Sequence, residues 1–201
     1  WTLSRGLGDV YKRQGYAALG ANTTANDNVA IGAFSLDANT TGTNNTAIGK
    51  IALSANTTGD SNVAVGSASL DLNTTGSDNV ALGVNALGAN TTAANNTAVG
   101  SSALLANTTG TKNVAIGALS LDANTTADNN TGLGYAALGA NTTGSFNTAV
   151  GRQALLLNTT ADNNVAIGGN ALFQNTTGAS NVAVGAYALD AVSYTHLRAH
   201  E

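Results

Sequence analysis

Residues 28–44 read NVAIGAFSLDANTTGTN, and this 17-residue pattern recurs with drift along nearly the whole chain. The unit is N-[VT]-A-[IVL]-G-x-x-[AS]-L-x-x-N-T-T-[GA]-x-x, and we number its positions 1 to 17 from Asn28. Its NTT tripeptide starts at Asn22 and recurs ten times without an insertion or deletion, ending at Asn175, since 175 − 22 = 153 = 9 × 17. A fixed period of this length predicts a solenoid or a similar repeat architecture.

The register of the repeat sets its boundaries at residues 15–191. Gly15 occupies position 5, whereas VSYTHLRAHE replaces the expected NTT after Ala191. Residues 4–14, SRGLGDVYKRQ, resemble a translated sequencing adapter, and residues 192–201 resemble the reverse complement of the same adapter. We therefore expect residues 1–14 and 192–201 to be adapter-derived and outside the fold. We also expect the repeat region to be a metagenomic fragment of a longer protein, with its signal and anchor outside this fragment.

The composition of residues 15–191 excludes several classes of function. The region has nine Asp, two Lys and one Arg, so its net charge is 3 − 9 = −6. Nucleic-acid binding requires clustered basic residues, and a membrane span requires about 20 consecutive apolar residues. The chain has no Cys, which excludes disulfides and Cys-type zinc sites. We expect no nucleic-acid partner, no membrane contact by this region, no cofactor and no metal.

Residue alternation predicts two short strands in each unit. Positions 2–4 combine Val or Thr, Ala and an aliphatic residue, and the Gly at position 5 ends this strand. Positions 8–12 predict a second strand with positions 9 and 11 directed inward, followed by an N-T-T-G turn. The predicted fold class is all-β: a parallel β-solenoid, or β-roll, of about ten coils stacked about 4.8 Å apart.

Equivalent positions of stacked coils form ladders. We predict an interior made by the aliphatic residues of position 4 and the Leu residues of position 9, with Asn ladders along the turns. The structural ladders are represented by Asn28, Asn45 and Asn62 at position 1, Gly32, Gly49 and Gly66 at position 5, Leu36, Leu53 and Leu70 at position 9, and Asn39, Asn56 and Asn73 at position 12.

Positions 3 and 8 then face away from this interior, yet they stay small. If these positions were solvated, we would expect Lys, Glu or Gln at them in some of the coils. Their smallness predicts the close approach of a second protomer, with Ala98 and Ala115 as candidate interface residues.

The motif N-[VT]-A-[IV]-G-x-x-[AS] occurs throughout, for example as NVAIGAFS from Asn28 and NTAVGRQA from Asn147. It resembles the head repeats of YadA-type trimeric autotransporter adhesins and similar repeats of bacteriophage tail fibres. This resemblance implies a left-handed β-roll, a homotrimer and an adhesive head or stalk at the cell surface, outside the cell or on a virion tail. The added L-x-x-N-T-T-G segment looks more like the tail-fibre variants, in which an auto-cleaving chaperone domain often follows.

Other motifs favour structural interpretations. The NTT tripeptides match an N-glycosylation acceptor, but their fixed position indicates a turn. Adjacent Thr residues point to opposite faces of a strand, which argues against a two-column ice-binding array. No nucleophile, base and orienting group recur together, so we predict no catalysis. Five turn aspartates lack a calcium-roll pattern, and we expect them to be solvated: Asp27, Asp60, Asp78, Asp128 and Asp162.

The sequence therefore predicts the structural or adhesive repeat region of a trimeric surface adhesin or fibre. The ligand is a host surface, matrix or glycan. The variable positions 6, 7 and 10 supply the candidate surface contacts Phe34, Tyr135, Arg152, Phe173 and Tyr187. One alternative is the shaft of a phage tail fibre whose C-terminal part is an auto-cleaving chaperone. Another is a self-assembling amyloid-like or ice-binding repeat.

Overall fold

A computed structural model describes residues 12–190 of the chain. The described region is an all-β parallel solenoid with a 17-residue coil, which confirms the predicted fold class. Each coil contributes one three-residue strand, placed at positions 2–4 of the unit. The strands are β1 (Lys12–Gln14), β2 (Val29–Ile31), β3 (Thr46–Ile48), β4 (Val63–Val65), β5 (Val80–Leu82), β6 (Thr97–Val99), β7 (Val114–Ile116), β8 (Thr131–Leu133), β9 (Thr148–Val150), β10 (Val165–Ile167) and β11 (Val182–Val184).

The strands form one parallel sheet in sequence order, and each pairs in register with the residue 17 positions later. Val63 pairs with Val80, for example, and Ala64 pairs with Ala81. The sheet includes β1, although residues 12–14 were expected to lie outside the fold. Parallel strands pair through backbone N–H and C=O groups alone. Strand β1 can therefore join the sheet whether or not its sequence derives from an adapter.

The second strand predicted at positions 8–12 is wrong, because positions 6–11 form turns in every coil. In the first complete coil, the Ser35 N–H donates to the Gly32 carbonyl over 3.3 Å, and the Asn39 N–H donates to the Leu36 carbonyl over 3.4 Å. The turns still bond to the next coil, since the Leu36 N–H donates to the Ala52 carbonyl over 3.0 Å. Hydrogen bonds between coils therefore continue beyond the short strands.

Left-handed backbone at positions 7 and 9 explains the turns. Phe34 has a φ of 58° and Leu36 has a φ of 50°, and the same conformation recurs in each coil. A left-handed residue breaks the alternation of side chains that an extended strand imposes. Positions 8 and 9 consequently both point inward, and Ser35 and Leu36 are both fully buried. This conformation is uncommon for Leu, which has no glycine-like freedom.

The core differs from the predicted interior. It consists of Ala at position 3, Ala or Ser at position 8 and Leu at position 9, as in Ala81, Ala86 and Leu87, which are all fully buried. The aliphatic residues of position 4 point outward instead, and Leu82 is 37% exposed. Position 11 also points outward, and Leu72 is 52% exposed. One Leu per coil leaves room only for small residues at positions 3 and 8, which explains their size.

Candidate functional site: an exposed apolar sheet face

Two buried Asn ladders fix the turn that precedes each strand. The Nδ2 of Asn56 donates to Oδ1 of Asn39 over 2.9 Å and to the Gly59 carbonyl over 2.9 Å. The Nδ2 of Asn45 donates to the same carbonyl over 2.8 Å. Each position-15 carbonyl of the central coils thus joins the two Asn ladders. Because both N–H groups of Asn56 are bonded and its surface is buried, its NTT tripeptide has a structural role in the folded chain.

The Gly ladder of position 5 lies beside the strand ends. Gly32, Gly49 and Gly66 have φ values of 130°, 137° and 138°, a region that L side chains rarely adopt. A Cβ atom on Gly49 would lie 2.5 Å from the Gly66 carbonyl oxygen. Successive coils therefore approach each other closely only because this position has no side chain.

The interface predicted at Ala98 and Ala115 is wrong. Both residues lie at position 3, and both are 0% exposed inside the solenoid. They stack directly on each other as a pair of β6 and β7. Their small size is required by the thin core, so they are unavailable to a second protomer.

The face that is available lies on the other side of the same strands. Positions 2 and 4 alternate with the buried Ala and present two parallel columns of side chains to solvent. We call these two columns the apolar sheet face. Position 2 contributes Val29, Thr46, Val63, Val80, Thr97, Val114, Thr131, Thr148, Val165 and Val182. Position 4 contributes Ile31, Ile48, Val65, Leu82, Val99, Ile116, Leu133, Val150, Ile167 and Val184.

The apolar sheet face contains no charged residue in these ten coils, whereas the neighbouring columns contain Lys50, Lys112 and Arg152. Its residues are partly open even though neighbouring coils cover two of their sides: Ile116 is 39% exposed and Ile167 is 41% exposed. Three residues span about 10 Å, and ten coils span about 48 Å, so the face covers about 500 Å². This outline includes the four Thr residues of position 2, and it lies within the range of about 300–600 Å² that the largest apolar patch of a monomer covers.

The candidate surface contacts occupy three different columns. Tyr135 and Arg152 lie at position 6 of adjacent coils, Phe34 and Tyr187 lie at position 7 of distant coils, and Phe173 lies at position 10. Phe34 packs edge-on against Tyr16, with ring centroids 5.3 Å apart. Tyr135 and Arg152 are both exposed, whereas Phe173 is only half-exposed. The fold thus brings together Tyr135 and Arg152 and disperses the other three.

Three of the five turn aspartates, Asp60, Asp128 and Asp162, accept hydrogen bonds from the preceding coil. Oδ1 of Asp60 accepts hydrogen bonds from the backbone N–H of Thr43 over 2.6 Å and from its Oγ1 over 3.0 Å. Asp128 is bonded in the same way to Thr111. Within residues 12–190, no three His, Cys, Asp or Glu side chains are grouped so that they could hold a metal ion.

No family model matches this chain, and neither the curated proteins nor the solved structures include a match. Across the part of the chain that the structure describes, we find no helix with the length and apolar character needed to cross a membrane. We therefore infer the function from the features of the fold itself.

The sequence does not readily predict the apolar sheet face, because the pattern of positions 2–4 favours position 4 as interior and position 3 as surface. Strands with Ala at position 3 and aliphatic residues at positions 2 and 4 favour an interior at position 4 on hydrophobicity alone. The feature that indicates an inward-facing position 3 is its constant small size, since it is Ala in nine coils and Gly132 in the tenth. Position 4 freely exchanges Ile, Val and Leu. Tight packing restricts size more strictly than it restricts polarity.

Proposed function

We propose that this repeat region is a stiff structural or adhesive rod that associates with identical copies along the apolar sheet face. It forms the head or shaft of a trimeric cell-surface adhesin or of a phage tail fibre. The supporting observation is the uncharged, mostly aliphatic surface of positions 2 and 4, which runs along ten successive coils from β2 to β11. The left-handed coil and the number of three protomers follow from the sequence resemblance.

Self-association has a clear physical reason. The core holds one large apolar side chain per coil, whereas the aliphatic residues of positions 2 and 4 remain partly exposed. Covering apolar surface stabilises a protein by about 25 cal/mol per Å². A second copy with the same repeat presents a surface of the same length and spacing. An uncharged face also avoids the cost of burying charged groups without partners.

Identical copies suit this face because all coils present the same pattern in the same register. A globular partner would contact only a few coils and would leave the rest of the face exposed. Closed association predicts a defined mass, since three protomers can cover one another's faces completely. Open-ended fibres of growing mass would instead support the amyloid-like alternative.

Sedimentation velocity of the chain tests the proposal. We expect wild type to sediment as a trimer, and the double variant Val99→Lys/Ile116→Lys to sediment at lower mass because it introduces charge on position 4. The matched control Ser101→Lys/Ala118→Lys adds the same charge to position 6 and should retain the trimer. Circular dichroism shows whether each variant keeps its β structure.

A milder variant covers the case in which the lysine variant unfolds. Ile116→Thr keeps a β-branched residue in β7 and removes apolar surface, so we expect at least a tenfold weaker association. Monomeric wild type at high concentration, or an unchanged mass in both position-4 variants, would contradict the proposal.

A further inference from the structure

A second regular surface lies on the turn that precedes each strand. Position 14 places one Thr in each coil, directly after the Thr of position 13. All ten of these residues are exposed, and we call them the Thr column. It consists of Thr24, Thr41, Thr58, Thr75, Thr92, Thr109, Thr126, Thr143, Thr160 and Thr177.

From Thr41 onward, the hydroxyls of the Thr column do not stabilise the folded solenoid. From Thr41 to Thr177, the described structure gives no hydrogen bond from any of these hydroxyls to another protein group. The Thr of position 13 differs, because its Oγ1 bonds to the next coil, as Thr57 does to the Thr74 carbonyl over 3.1 Å. The hydroxyl of position 13 therefore stabilises the solenoid. The hydroxyls of position 14, from Thr41 to Thr177, make no such bond.

Position 2 supplies an internal comparison. It is also outward-facing, although it lies in a strand whereas position 14 lies in a bend, and it contains six Val and four Thr among ten coils. Val and Thr have nearly the same shape and both suit extended backbone. The repeat thus exchanges Val and Thr freely where only shape is required. Position 14 is Thr in all ten coils, which indicates that its exposed hydroxyl is retained for an interaction outside the chain.

Hydrogen bonds between coils hold part of the backbone beneath the Thr column, at Thr41, Thr58, Thr75, Thr109 and Thr143. The Thr58 N–H donates to the Thr74 carbonyl of the next coil over 3.3 Å. The adjacent Gly59 is buried, and its carbonyl accepts the amides of Asn45 and Asn56. Successive hydroxyls are therefore held at the spacing of stacked strands, about 4.8 Å. A rigid array loses little conformational freedom when it binds a ligand.

A companion column lies at position 16, beyond the buried position 15. It contains short polar residues in most coils: Asn26, Thr43, Asp60, Ser77, Thr111, Asp128, Ser145 and Asp162, with Ala94 and Ala179 as the exceptions. The Thr column offers hydroxyl donors and acceptors, and the carboxylates of the companion column add acceptor capacity beyond the Oδ1 atoms that already bond to the preceding coil. They contain no Lys, Arg or His in the described coils, and three carboxylates lie among them. An anionic polymer would therefore be repelled.

We propose that the Thr column binds a linear, neutral polysaccharide that lies along the solenoid axis. Sugar hydroxyls both donate and accept hydrogen bonds, so they complement Thr hydroxyls and Asp carboxylates. Each coil contributes a weak contact, and the regular stack adds these contacts along one extended ligand. This inference rests on the adhesive role proposed above, and it assigns that role a ligand class and a surface.

Cosedimentation with insoluble polysaccharides tests the inference, with cellulose, chitin and xylan as neutral probes and an alginate gel as the anionic probe. The test variant is Thr75→Val/Thr92→Val/Thr109→Val/Thr126→Val, which removes four consecutive hydroxyls and keeps their shape. The matched control is Thr46→Val/Thr97→Val/Thr131→Val/Thr148→Val, which removes four hydroxyls from position 2, where Val is already common.

We expect wild type and the position-2 control to bind at least one neutral polysaccharide, and the position-14 variant to bind it at least tenfold more weakly. Equal binding by the position-14 variant would overturn the inference. So would binding of wild type to alginate only, or binding to none of the probes. Adsorption to ice in place of the neutral polysaccharides would likewise reject the assigned ligand class.

Sedimentation velocity on the same samples separates this inference from the proposed function. A monomeric wild type that still requires position 14 for polysaccharide binding would reject self-association and retain the Thr column as the binding surface. A trimeric wild type with no polysaccharide binding would reject the Thr column alone.

Discussion

Nδ2 of Asn90 donates a hydrogen bond to Oδ1 of Asn73, in the preceding coil, over 2.8 Å. The same Nδ2 donates to the Ala93 carbonyl over 3.1 Å, and Oδ1 of Asn90 accepts from Asn107 over 3.1 Å. Asn90 is fully buried. Every hydrogen-bonding direction of this side chain is thus determined by its neighbours in the stack, so the amide cannot be replaced by a carboxylate of the same shape.

Asn90→Asp should destabilise the solenoid strongly at neutral pH. The substitution removes both donors and places a carboxylate against two acceptor oxygens, and each lost buried hydrogen bond costs about 1–3 kcal/mol. Burial raises the pKa of the new carboxyl, so its folded pKa exceeds its unfolded pKa. The destabilisation is therefore smallest below the unfolded pKa and grows as the pH rises through the folded pKa.

Urea unfolding of Asn90→Asp at pH 3 and pH 7 measures this effect. Asn85→Asp is the control, since Asn85 is exposed and left-handed with a φ of 57°, a conformation that Asp tolerates. Equal stability of the two variants at pH 7 would show that the Asn ladder does not stabilise the fold.

Gly83→Ala should destabilise the chain by about 3 kcal/mol or more. Its φ is 141°, which is restricted to Gly at a cost of about 1–3 kcal/mol for other residues. The new Cβ would also lie 2.5 Å from the Gly100 carbonyl oxygen.

Gly169→Ala is the matched control for Gly83→Ala. A Cβ on Gly169 meets no atom within 4 Å, and position 6 is already Ala at Ala33 and Ala118. We expect a gain of about 0.4–1 kcal/mol from the reduced freedom of the unfolded chain. Thermal unfolding followed by circular dichroism compares the two variants, and similar melting temperatures would disprove the predicted close approach of coils at position 5.

Adjacent leucines should respond differently to truncation. Leu104 is fully buried, whereas Leu105 is 36% exposed. Leu104→Ala removes the only large apolar side chain of its coil core and should cost about 2–5 kcal/mol. Leu105→Ala should cost less than about 1.5 kcal/mol, because its side chain lies on the surface over Gly88. Chemical denaturation distinguishes the two, and a larger effect at Leu105 would contradict the inward direction of position 9.

Asp71 makes stability depend on pH. Partial burial raises the pKa of Asp71 above its usual value of 3.8, and the backbone N–H groups of Asp71 and Leu72 oppose this shift only in part. A raised folded pKa favours the protonated form, so the contribution to stability is complete below about pH 3.8 and is lost as the pH rises through the folded pKa.

Asp71→Asn should therefore raise the melting temperature slightly at pH 7 and change it little at pH 3. Asp78→Asn is the control, because Asp78 lies in the same repeat unit, at position 17, and is exposed. Differential scanning calorimetry at both pH values checks the sign, and a lower melting temperature of Asp71→Asn at pH 7 would refute it.

The period, the fold class and the register of stacking all follow from the order of the residues. Seventeen residues without an insertion place Asn28 over Asn45 and Leu36 over Leu53, and any parallel solenoid must then bring equivalent residues together. The positions of the structural ladders could be predicted for this reason. The structural role of the invariant Gly at position 5 could be predicted as well, since Gly permits an unusual backbone conformation at the end of a strand.

Which side chains face inward depends on the backbone conformation of the folded solenoid. The prediction applied strict alternation to positions 8–12, whereas a left-handed Leu36 turns two consecutive residues, Ser35 and Leu36, into the core. That conformation is locally unfavourable for Leu and persists because stacking buries the side chain and bonds its backbone to Ala52. The resulting interior is so narrow that Ala30 occupies it and Ile31 cannot, which leaves the aliphatic column outside.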